Sequence, residues 1–373
     1  MRYGNLLPGE PMNMKFDAHG RLWVTHSLEY PFPAKSDEKA RDAISIFSEF
    51  AANGKAKKVQ RFAEHLNIPI GVVPLSDTDA IAWSIPNIWH LKDTNGDGIA
   101  DQKTIEFGPF GVRDTHGDQN AFTQWIDGWI YANHGYSNDS HVKIGGKGPD
   151  VLHMNSGNTY RFRPDGSAIE QYSWGQVNPF GMSFDPLGNL FTADCHSCAV
   201  TMLLREGYYQ SFGKPHDGLG FAPEITHIDH GGTGIAGVVY STFPQFPKKY
   251  RDVLFVGNVI TNRVHCDRLK WNGSTPVVTK VENFLTRDDP WFRPGDLQRG
   301  PDGALYVADF YNCIIGHYEV PLTHPKRDRE RGRIWRVVYK GEGDKPGPAK
   351  TVAPMPDLHK LDAPGLFAIL KHP

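Results

Sequence analysis

One stretch of the chain spaces its oxygen-bearing side chains as calcium-binding loops do. It reads Asp93-Thr-Asn95-Gly-Asp97-Gly-Ile99-Ala-Asp101. The Asp and Asn side chains occupy loop positions 1, 3, 5 and 9, Gly occupies position 6, and Ile99 offers its backbone carbonyl at position 7. This alternation lets one tight turn direct several oxygens at a hard cation. Position 12 is Thr104, where a helical EF-hand has a bidentate Glu. The spacing predicts a lone structural calcium turn between strands, and the alternative is an Asx-rich turn without metal.

A second group combines a histidine with two carboxylates. The segment Asp114-Thr-His116-Gly-Asp118 lies shortly before an Asp-Gly turn at Asp127 and the apolar and aromatic strand that follows this turn. An imidazole can remove a proton near neutral pH when a neighbouring carboxylate orients its ring. We therefore predict His116 as a catalytic base, assisted by Asp114 and Asp118, and the alternative is an ordinary loop histidine.

Further polar side chains occur at a similar position relative to other strands. Asn178 stands in Asn-Pro-Phe-Gly, and Arg293 in Trp-Phe-Arg-Pro-Gly-Asp. Asn258 and Arg263 flank another loop. Because these residues recur at one phase of a repeat, they are predicted to converge on a single site with His116.

The repeat itself is a sequence motif in which an Asp or Asp-Gly turn precedes an apolar and aromatic strand, and we call this motif the Asp phrase. It occurs about six times, with its Asp at positions 17, 79, 127, 185, 252 and 302. Repeats of this length, built from short strands and tight turns, are typical of propeller blades. The sequence thus predicts an all-β fold, a six-bladed β-propeller, whose site lies where the loops meet at the axis. The segment 332–339 is expected to complete the last blade and close the ring.

Composition agrees with one propeller and excludes several classes of protein. The chain has 373 residues, 39 Gly and 28 Pro, so we expect many turns, few helices and one propeller rather than two domains. A formal net charge of −2 gives no general attraction to nucleic acid. No apolar run is long enough for membrane insertion, and residues 1–5 lack the apolar core of a signal peptide.

The four cysteines leave their redox state open. Cys195 and Cys198 have CxxC spacing, whereas Cys266 and Cys313 are isolated. A structural or disulfide role and a metal or redox role are both compatible with this spacing. There is no CxxCH motif, so covalent haem is not expected.

The C-terminal residues differ in character from the repeat. We predict a propeller over 1–340, a Gly/Pro/Lys linker over 341–357 and a truncated helical segment over 358–373, with Asp362 as a helix N-cap. The alternative for the last segment is a helix that docks back on the propeller.

Several of these motifs together resemble the bacterial membrane-bound dehydrogenase family, over nearly all of residues 10–340. The motifs that carry the resemblance are the 93–101 loop, Asp114-Thr-His116, Asn178-Pro-Phe-Gly181, Asp289-Pro-Trp-Phe-Arg293-Pro, 300–312, Ile315-Gly-His317-Tyr-Glu319 and 327–335. The resemblance implies export to the periplasm or cell surface. It also implies HEAT-type helical repeats after the propeller and a cytochrome c as electron acceptor.

The propeller is in turn similar to glucose/sorbosone dehydrogenases, which hold pyrroloquinoline quinone at the axial mouth and oxidise a sugar hydroxyl. This similarity implies that His116 is the general base, that Asn178 lies beside the quinone and that Arg293 contacts it. Asn258 and Arg263 fall in the segment that supplies another quinone-binding cation. The chain departs from that group at Val177, where an Arg is expected.

Three functions follow from these observations. The first is a quinone-dependent sugar or alcohol oxidoreductase. The second is a calcium-dependent, lactonase-like hydrolase. The third is a non-catalytic carbohydrate- or partner-binding propeller of an electron-transfer assembly. A His/Arg/Asn lining of the axis favours the oxidoreductase, a carboxylate-rich lining the hydrolase, and an axis plugged by aromatic side chains the binding protein.

Overall fold

The structure is a computed structural model. It describes residues 7–51, 54–196, 200–212, 220–226, 228, 230, 232–243, 245–342, 345–346 and 360–369. Strands make up 49% of the chain and helices 4%, and six sheets form a six-bladed β-propeller, which confirms the predicted fold class.

The first half of the ring contains blades 1 to 3. The chain enters through β1 (Leu7–Pro8), and blade 1 follows as β2 (Glu10–Phe16), β3 (Leu22–Ser27), β4 (Asp42–Phe50) and β5 (Ala56–Leu66). Blade 2 contains β6 (Val72–Pro74), β7 (Asp79–Ser84), β8 (Asn87–Lys92) and β9 (Gln102–Gly108). Blade 3 and a hairpin inserted in it are formed by β10 (Asn120–Gln124), β11 (Ile130–His134), β12 (Asp139–Ile144), β13 (Leu152–Asn155), β14 (Asn158–Phe162) and β15 (Ile169–Trp174). The β12–β13 hairpin pairs with β9 and so extends the sheet of blade 2.

The second half contains blades 4 to 6. The described strands of blade 4 are β16 (Asn178–Phe184), β17 (Leu190–Cys195) and β18 (Val200–Leu203). Blade 5 contains β19 (Ile235–Ser241), β20 (Val253–Asn258), β21 (Arg263–Asn272) and β22 (Thr275–Thr286). Blade 6 contains β23 (Pro294–Arg299), β24 (Leu305–Asp309) and β25 (Arg331–Val337).

The repeated Asp phrase marks the turn between the first and second strands of the blades. In blade 1 the Asp17 carboxylate accepts the backbone N–H of Arg21 and the indole N–H of buried Trp23, while Gly20 adopts a φ of 74°. The carboxylate thus caps the turn and positions an aromatic side chain of the next strand. The same Asp-to-turn hydrogen bonds recur at Asp127, Asp185 and Asp302.

The hydrophobic core lies between neighbouring blades. Trp23 and Phe62 of blade 1 pack edge to face, with ring centroids 4.6 Å apart, in a cluster that includes Leu91 of blade 2. Blades 5 and 6 share a similar cluster that contains Phe255 and Leu297. Each blade buries its faces against its neighbours, and this explains why the aromatic phrase must repeat around the ring.

The ring closes differently from our expectation. β25 is the third strand of blade 6, and β1 pairs antiparallel with it as the fourth, in the register Leu7 with Gly332 and Pro8 with Arg331. The last blade therefore combines strands from both ends of the propeller sequence.

The first strands of the six blades surround the axis. These strands, β2, β6, β10, β16, β19 and β23, contact one another in a closed cycle. Because successive strands are antiparallel, the loops that enter the first strands and the loops that join second to third strands lie at the same end of the ring. The predicted site residues at 114–118, 178, 258, 263 and 293 all lie on or next to such loops.

Beyond the blades, the described residues include a short hairpin of β26 (Gly341–Glu342) and β27 (Lys345–Pro346) and one helix, α1 (Ala363–Ile369). The Asp362 side chain accepts the backbone N–H of Gly365, 2.9 Å away, as an N-cap does. Among the described helices, none has the length and apolar character needed to span a membrane.

Candidate active site

A cavity of about 300 Å³ opens at the axial end where these loops meet. Blades 1, 3, 4, 5 and 6 contribute to its wall. Its polar side chains include Tyr30, His116, Asn178, His196, His317 and Arg327. Its apolar side chains include Met12, Phe180, Ile235, Val259, Ile260 and Phe310. The wall is therefore suited to a small molecule that has both a polar edge and an apolar face.

His116 lies on this wall and is held by Asp114. The carboxylate Oδ1 of Asp114 accepts the backbone N–H of His116 at 2.9 Å and lies 3.4 Å from the ring Nδ1. Burial alone would raise the pKa of Asp114, but the hydrogen bonds from His116 outweigh it and hold the pKa below its usual value. Asp114 is therefore ionised at neutral pH and orients the imidazole.

His317 stacks directly on His116. The ring centroids are 3.2 Å apart, the planes are inclined by 25°, and His317 Nε2 lies 3.8 Å from Asp114 Oδ1. Burial lowers the pKa of His317 to about 4, and a protonated His116 would act in the same direction. His317 is therefore neutral at pH 7, and its buried ring forms a fixed surface behind His116.

Close backbone packing sets the position of the 114–118 loop. A Cβ at Gly135 would overlap the backbone carbonyl of Gly117, and a Cβ at Gly117 would overlap the Asn178 side chain. Asn178 Oδ1 accepts the Tyr136 N–H at 2.9 Å. Its amide nitrogen has no acceptor among the described residues and lies on the cavity wall. Asn178 can therefore donate a hydrogen bond to a molecule in the cavity.

Asp118 is buried and is not one of the side chains of the cavity wall. It is fully buried, and burial raises its pKa well above the usual value, with the negative charge of Asp114 acting in the same direction. Asn138 Nδ2 lies 3.4 Å from its Oδ1, whereas its Oδ2 has no partner among the described residues. Of the two predicted carboxylates, it is Asp114 that contacts His116.

The predicted cofactor-binding residues of blades 5 and 6 are not brought to the cavity wall. Arg293 is only 7% exposed, and its guanidinium donates to the backbone carbonyls of residues 259, 260, 312 and 313 and to Asn262 Oδ1. Asn258 is fully buried, and its Oδ1 caps the backbone N–H groups of residues 260 and 261. Arg263 is exposed at the start of β21. Arg293 and Asn258 therefore shape the loops that form the wall.

The 93–101 loop forms the tight turn that its spacing predicts, away from the cavity. Asp93 accepts the backbone N–H groups of Gly96 and Gly98, and Asn95 and Asp97 each accept the N–H two residues ahead. Asp101 instead accepts the backbone N–H and the hydroxyl of Thr94. The oxygens of Asp93, Asn95 and Asp97 that accept these bonds each retain a second lone pair, so the turn keeps oxygen donors suitable for calcium.

Cys195 borders the cavity as a free thiol whose Sγ donates to the carbonyl of Ile235 at 2.7 Å. Burial raises its pKa. Such a thiol is a poor nucleophile at neutral pH. Cys198 lies outside the described residues, so the CxxC hypothesis is untested.

Sequence reasoning assigned no role to His317, Arg327 or Tyr30. His317 was within the Ile315–Glu319 motif, and the signal that could have identified it is the length of the β24–β25 loop, which opens at the same end of the ring. Arg327 donates to the carbonyls of residues 316, 317 and 320 through both Nη atoms. None of the described residues accepts a hydrogen bond from its Nε.

The arrangement brings an oriented imidazole, an amide donor and a guanidinium to one small cavity. Asp114, His116 and His317 also bring their ligand atoms within 4.8 Å of one another. The site is therefore equipped for proton transfer at a bound hydroxyl or carbonyl group, or for binding a metal through two imidazoles and a carboxylate.

Solved structures share this fold at low sequence identity. A glucose dehydrogenase superposes with a TM-score of 0.59 at 14% identity, covering 90% of this chain and 98% of its own. The PQQ-bound form of aldose sugar dehydrogenase from Streptomyces coelicolor gives 0.55 at 16%, covering 89% and 98%. Regucalcin from Agrobacterium tumefaciens, a calcium-binding protein, gives 0.50 at 12%, covering 91% and 93%. At these identities the likeness establishes the fold alone.

No functionally curated protein matches the sequence. The family model described as "Domain of unknown function (DUF7133)" matches residues 6–341, which is nearly the whole propeller. The chain therefore belongs to the DUF7133 family.

Proposed function

We propose that the axial cavity is the active site of an oxidoreductase that converts a hydroxyl group of a sugar or polyol to a carbonyl. The observation that carries the proposal is the His116 imidazole, which lies on the cavity wall and is oriented by an ionised Asp114. The polar side chains of the wall are mainly His, Asn and Arg, with Glu319 as its carboxylate. This lining is the one expected of an oxidoreductase rather than of a carboxylate-rich hydrolase.

His116 acts as the base that removes the hydroxyl proton. With Nδ1–H donating to Asp114, the lone pair of Nε2 is free to accept the proton. Asp114 then stabilises the imidazolium that forms, because its negative charge is 3.4 Å from the ring. The neutral ring of His317 adds no competing positive charge at neutral pH.

Pyrroloquinoline quinone is the proposed cofactor, and the residues of the cavity fit part of it. When bound, the quinone supplies the acceptor for the hydride that leaves the substrate carbon. Arg327 offers its Nε–H and one Nη2–H to a carboxylate, Asn178 offers its amide, and Phe180, Val259 and Ile260 offer apolar surface to a planar ring.

The cavity offers fewer cationic hydrogen-bond donors to the remaining carboxylates of the quinone. Val177 stands where an Arg is expected, and the Arg293 guanidinium is held by backbone carbonyls. Each charge-assisted hydrogen bond that is missing removes about 1.5–3 kcal/mol of binding. We therefore expect weaker quinone binding than in a site with several free guanidinium groups.

The test combines cofactor binding with turnover. Titration with pyrroloquinoline quinone, followed by quenching of intrinsic fluorescence, measures binding, and reduction of an artificial dye with an aldose or polyol measures activity. His116→Gln is expected to bind the quinone as the wild type does while losing about 10²–10⁴-fold in turnover.

The matched control is His90→Gln. His90 also lies beside carboxylates, with Nε2 3.1 Å from Asp79 and Nδ1 3.2 Å from Glu106, but it is in blade 2 away from the cavity. Equal turnover in His116→Gln and wild type would refute the proposed base. No quinone binding at micromolar concentration would refute the cofactor, and the binding-protein hypothesis would then be preferred.

A metal-dependent, lactonase-like hydrolase is a second candidate, favoured by the convergence of Asp114, His116 and His317. Two imidazoles and one carboxylate suit zinc or another first-row transition metal better than calcium, which prefers oxygen ligands. A bound metal would polarise a lactone carbonyl or activate water. Lactone hydrolysis that is abolished by a chelator and by Asp114→Asn, without dye reduction, would favour this candidate.

Electron transfer from the reduced site to a cytochrome c, and a periplasmic or cell-surface location, are further parts of the proposal. Both rest on the family resemblance. Reduction of a purified c-type cytochrome by the substrate-loaded protein would test the partner directly.

A further inference from the structure

A second group of histidines lies on the β12–β13 hairpin, outside the axial cavity. His141 and His153 are directly opposite each other in the antiparallel register, and Asp139 is opposite Asn155. Asp139 and His141 are two residues apart on one strand, so their side chains project from the same face. Three potential ligands are thus placed together by strand geometry alone.

The side chains converge as this geometry requires. His153 Nε2 lies 2.9 Å from Asp139 Oδ1, and His141 Nε2 lies 3.7 Å from Asp139 Oδ2. The three ligand atoms all lie within 4.8 Å of one another. Ligand atoms around tetrahedral zinc, each at about 2.0–2.1 Å from the metal, are about 3.3 Å apart. The observed separations need only small rotations of these three side chains, each of which is more than half exposed.

A fourth residue orients one of the imidazoles. Asp150 Oδ2 lies 3.0 Å from His141 Nδ1 and accepts a hydrogen bond from the N–H at this position. This hydrogen bond places the lone pair of His141 on Nε2, the atom that faces Asp139. A carboxylate behind a ligating histidine is the usual outer partner of protein metal sites, where it fixes the tautomer and strengthens the ligand.

The two imidazoles of the group also lie face to face. The His141 and His153 rings stack with centroids 4.2 Å apart and planes inclined by 18°. If both imidazoles were protonated to pair with Asp139, they would repel each other at this distance. One divalent cation would interact favourably with the carboxylate and with both neutral rings.

We propose that Asp139, His141 and His153 form a surface site for a divalent transition metal such as Zn²⁺, with Asp150 orienting His141 and solvent completing the coordination. Two imidazole nitrogens in a three-residue set select zinc, copper or nickel over calcium and magnesium.

Metal binding there would stabilise the hairpin next to the axial site. Asn138, the residue before Asp139, donates to the Asp114 carbonyl at 2.9 Å and accepts the Asp114 N–H at 2.9 Å. Ser140 accepts the Gly111 N–H at 2.8 Å. The hairpin therefore supports the loop that carries His116, and a metal would cross-link its two strands. The proposal is independent of the function assigned to the axial cavity.

Isothermal titration of chelator-treated protein with zinc chloride, in buffer that contains calcium to saturate the 93–101 loop, tests the site. The wild-type protein is expected to bind one more equivalent of zinc than either the His141→Ala or the His153→Ala variant. Asp150→Asn is expected to retain that equivalent with a dissociation constant 10–100-fold higher.

His19→Ala is the matched control, because His19 is a surface histidine 3.1 Å from Asp77 without a second imidazole beside it among the described residues. It is expected to bind zinc as the wild type does. Anomalous diffraction from zinc-soaked crystals locates the metal and distinguishes it from one at Asp114, His116 and His317. Equal stoichiometry in the wild type and both hairpin variants, or an anomalous peak only elsewhere, would overturn the proposal.

Discussion

Replacing Arg293 with Met tests whether this guanidinium stabilises the fold or is held ready for a ligand. The side chain is 7% exposed and serves four backbone carbonyls and the Asn262 side chain. Met retains much of the apolar volume but donates no hydrogen bond. The carbonyls of two loops, around residues 259–260 and 312–313, would lose their buried partner.

The cost can be worked from these contacts. A polar group left without its partner costs about 1–3 kcal/mol, and the lower limit applies here because Ile260 is exposed and its carbonyl is 3.4 Å from the guanidinium; four carbonyls then give about 4 kcal/mol. The family model matches residues 6–341. A domain of this size has an unfolding entropy of about 0.7 kcal/mol per kelvin, so the melting temperature should fall by about 6 °C.

Differential scanning calorimetry of Arg293→Met measures this shift, and Arg263→Met is the matched control. Arg263 is an exposed arginine of the neighbouring blade, so its replacement should change stability by no more than about 0.5 kcal/mol. An Arg293→Met protein that melts within 1 °C of the control but loses quinone binding would show that the guanidinium serves a ligand, and the structural reasoning would be refuted.

Three further predictions concern His317, the 93–101 loop and the packing of the loop that carries His116. Because the pKa of His317 is lowered to about 4 from an unfolded value of 6.5, the unfolded state binds more protons between these pH values. Stability should therefore decrease as the pH falls from 6.5 toward 4, by about 2 kcal/mol between pH 7 and pH 5, and His317→Gln should lack this loss in urea unfolding. Removing calcium should lower the melting temperature by about 4 °C if the free ion was at 100 times its dissociation constant, equivalent to about 2.7 kcal/mol, whereas Asp93→Asn/Asp97→Asn should not respond to chelator. Gly135→Ala should reduce turnover at the axial site by about 100-fold, because the new Cβ displaces the Gly117 carbonyl and with it the His116 loop. Unchanged steady-state kinetics in that variant would contradict the inferred packing.

The sequence alone determined the features that depend on residues close together in the chain. The Asp phrase predicted six blades because an Asp carboxylate caps its own turn and a Gly allows the positive φ, as at Asp17 and Gly20. The nine residues of the 93–101 loop alternate Asp or Asn with small residues, so the turn that they form was predictable from spacing. Asp114 and His116 are two residues apart, and their contact follows from the local turn.

Only the tertiary structure decided which polar side chains face the cavity. His317 stacks on His116 across about 200 residues of sequence, and no local pattern encodes that contact. Arg293 and Asn258 have the residue types and the repeat phase of ligand-binding groups, yet backbone groups of neighbouring loops take their hydrogen bonds. The closing strand β1 likewise pairs with β25 from the other end of the propeller sequence. Each buried donor or acceptor forms a hydrogen bond with the partner that the folded loops bring nearest. Which partner is nearest depends on how the blades pack around the axis.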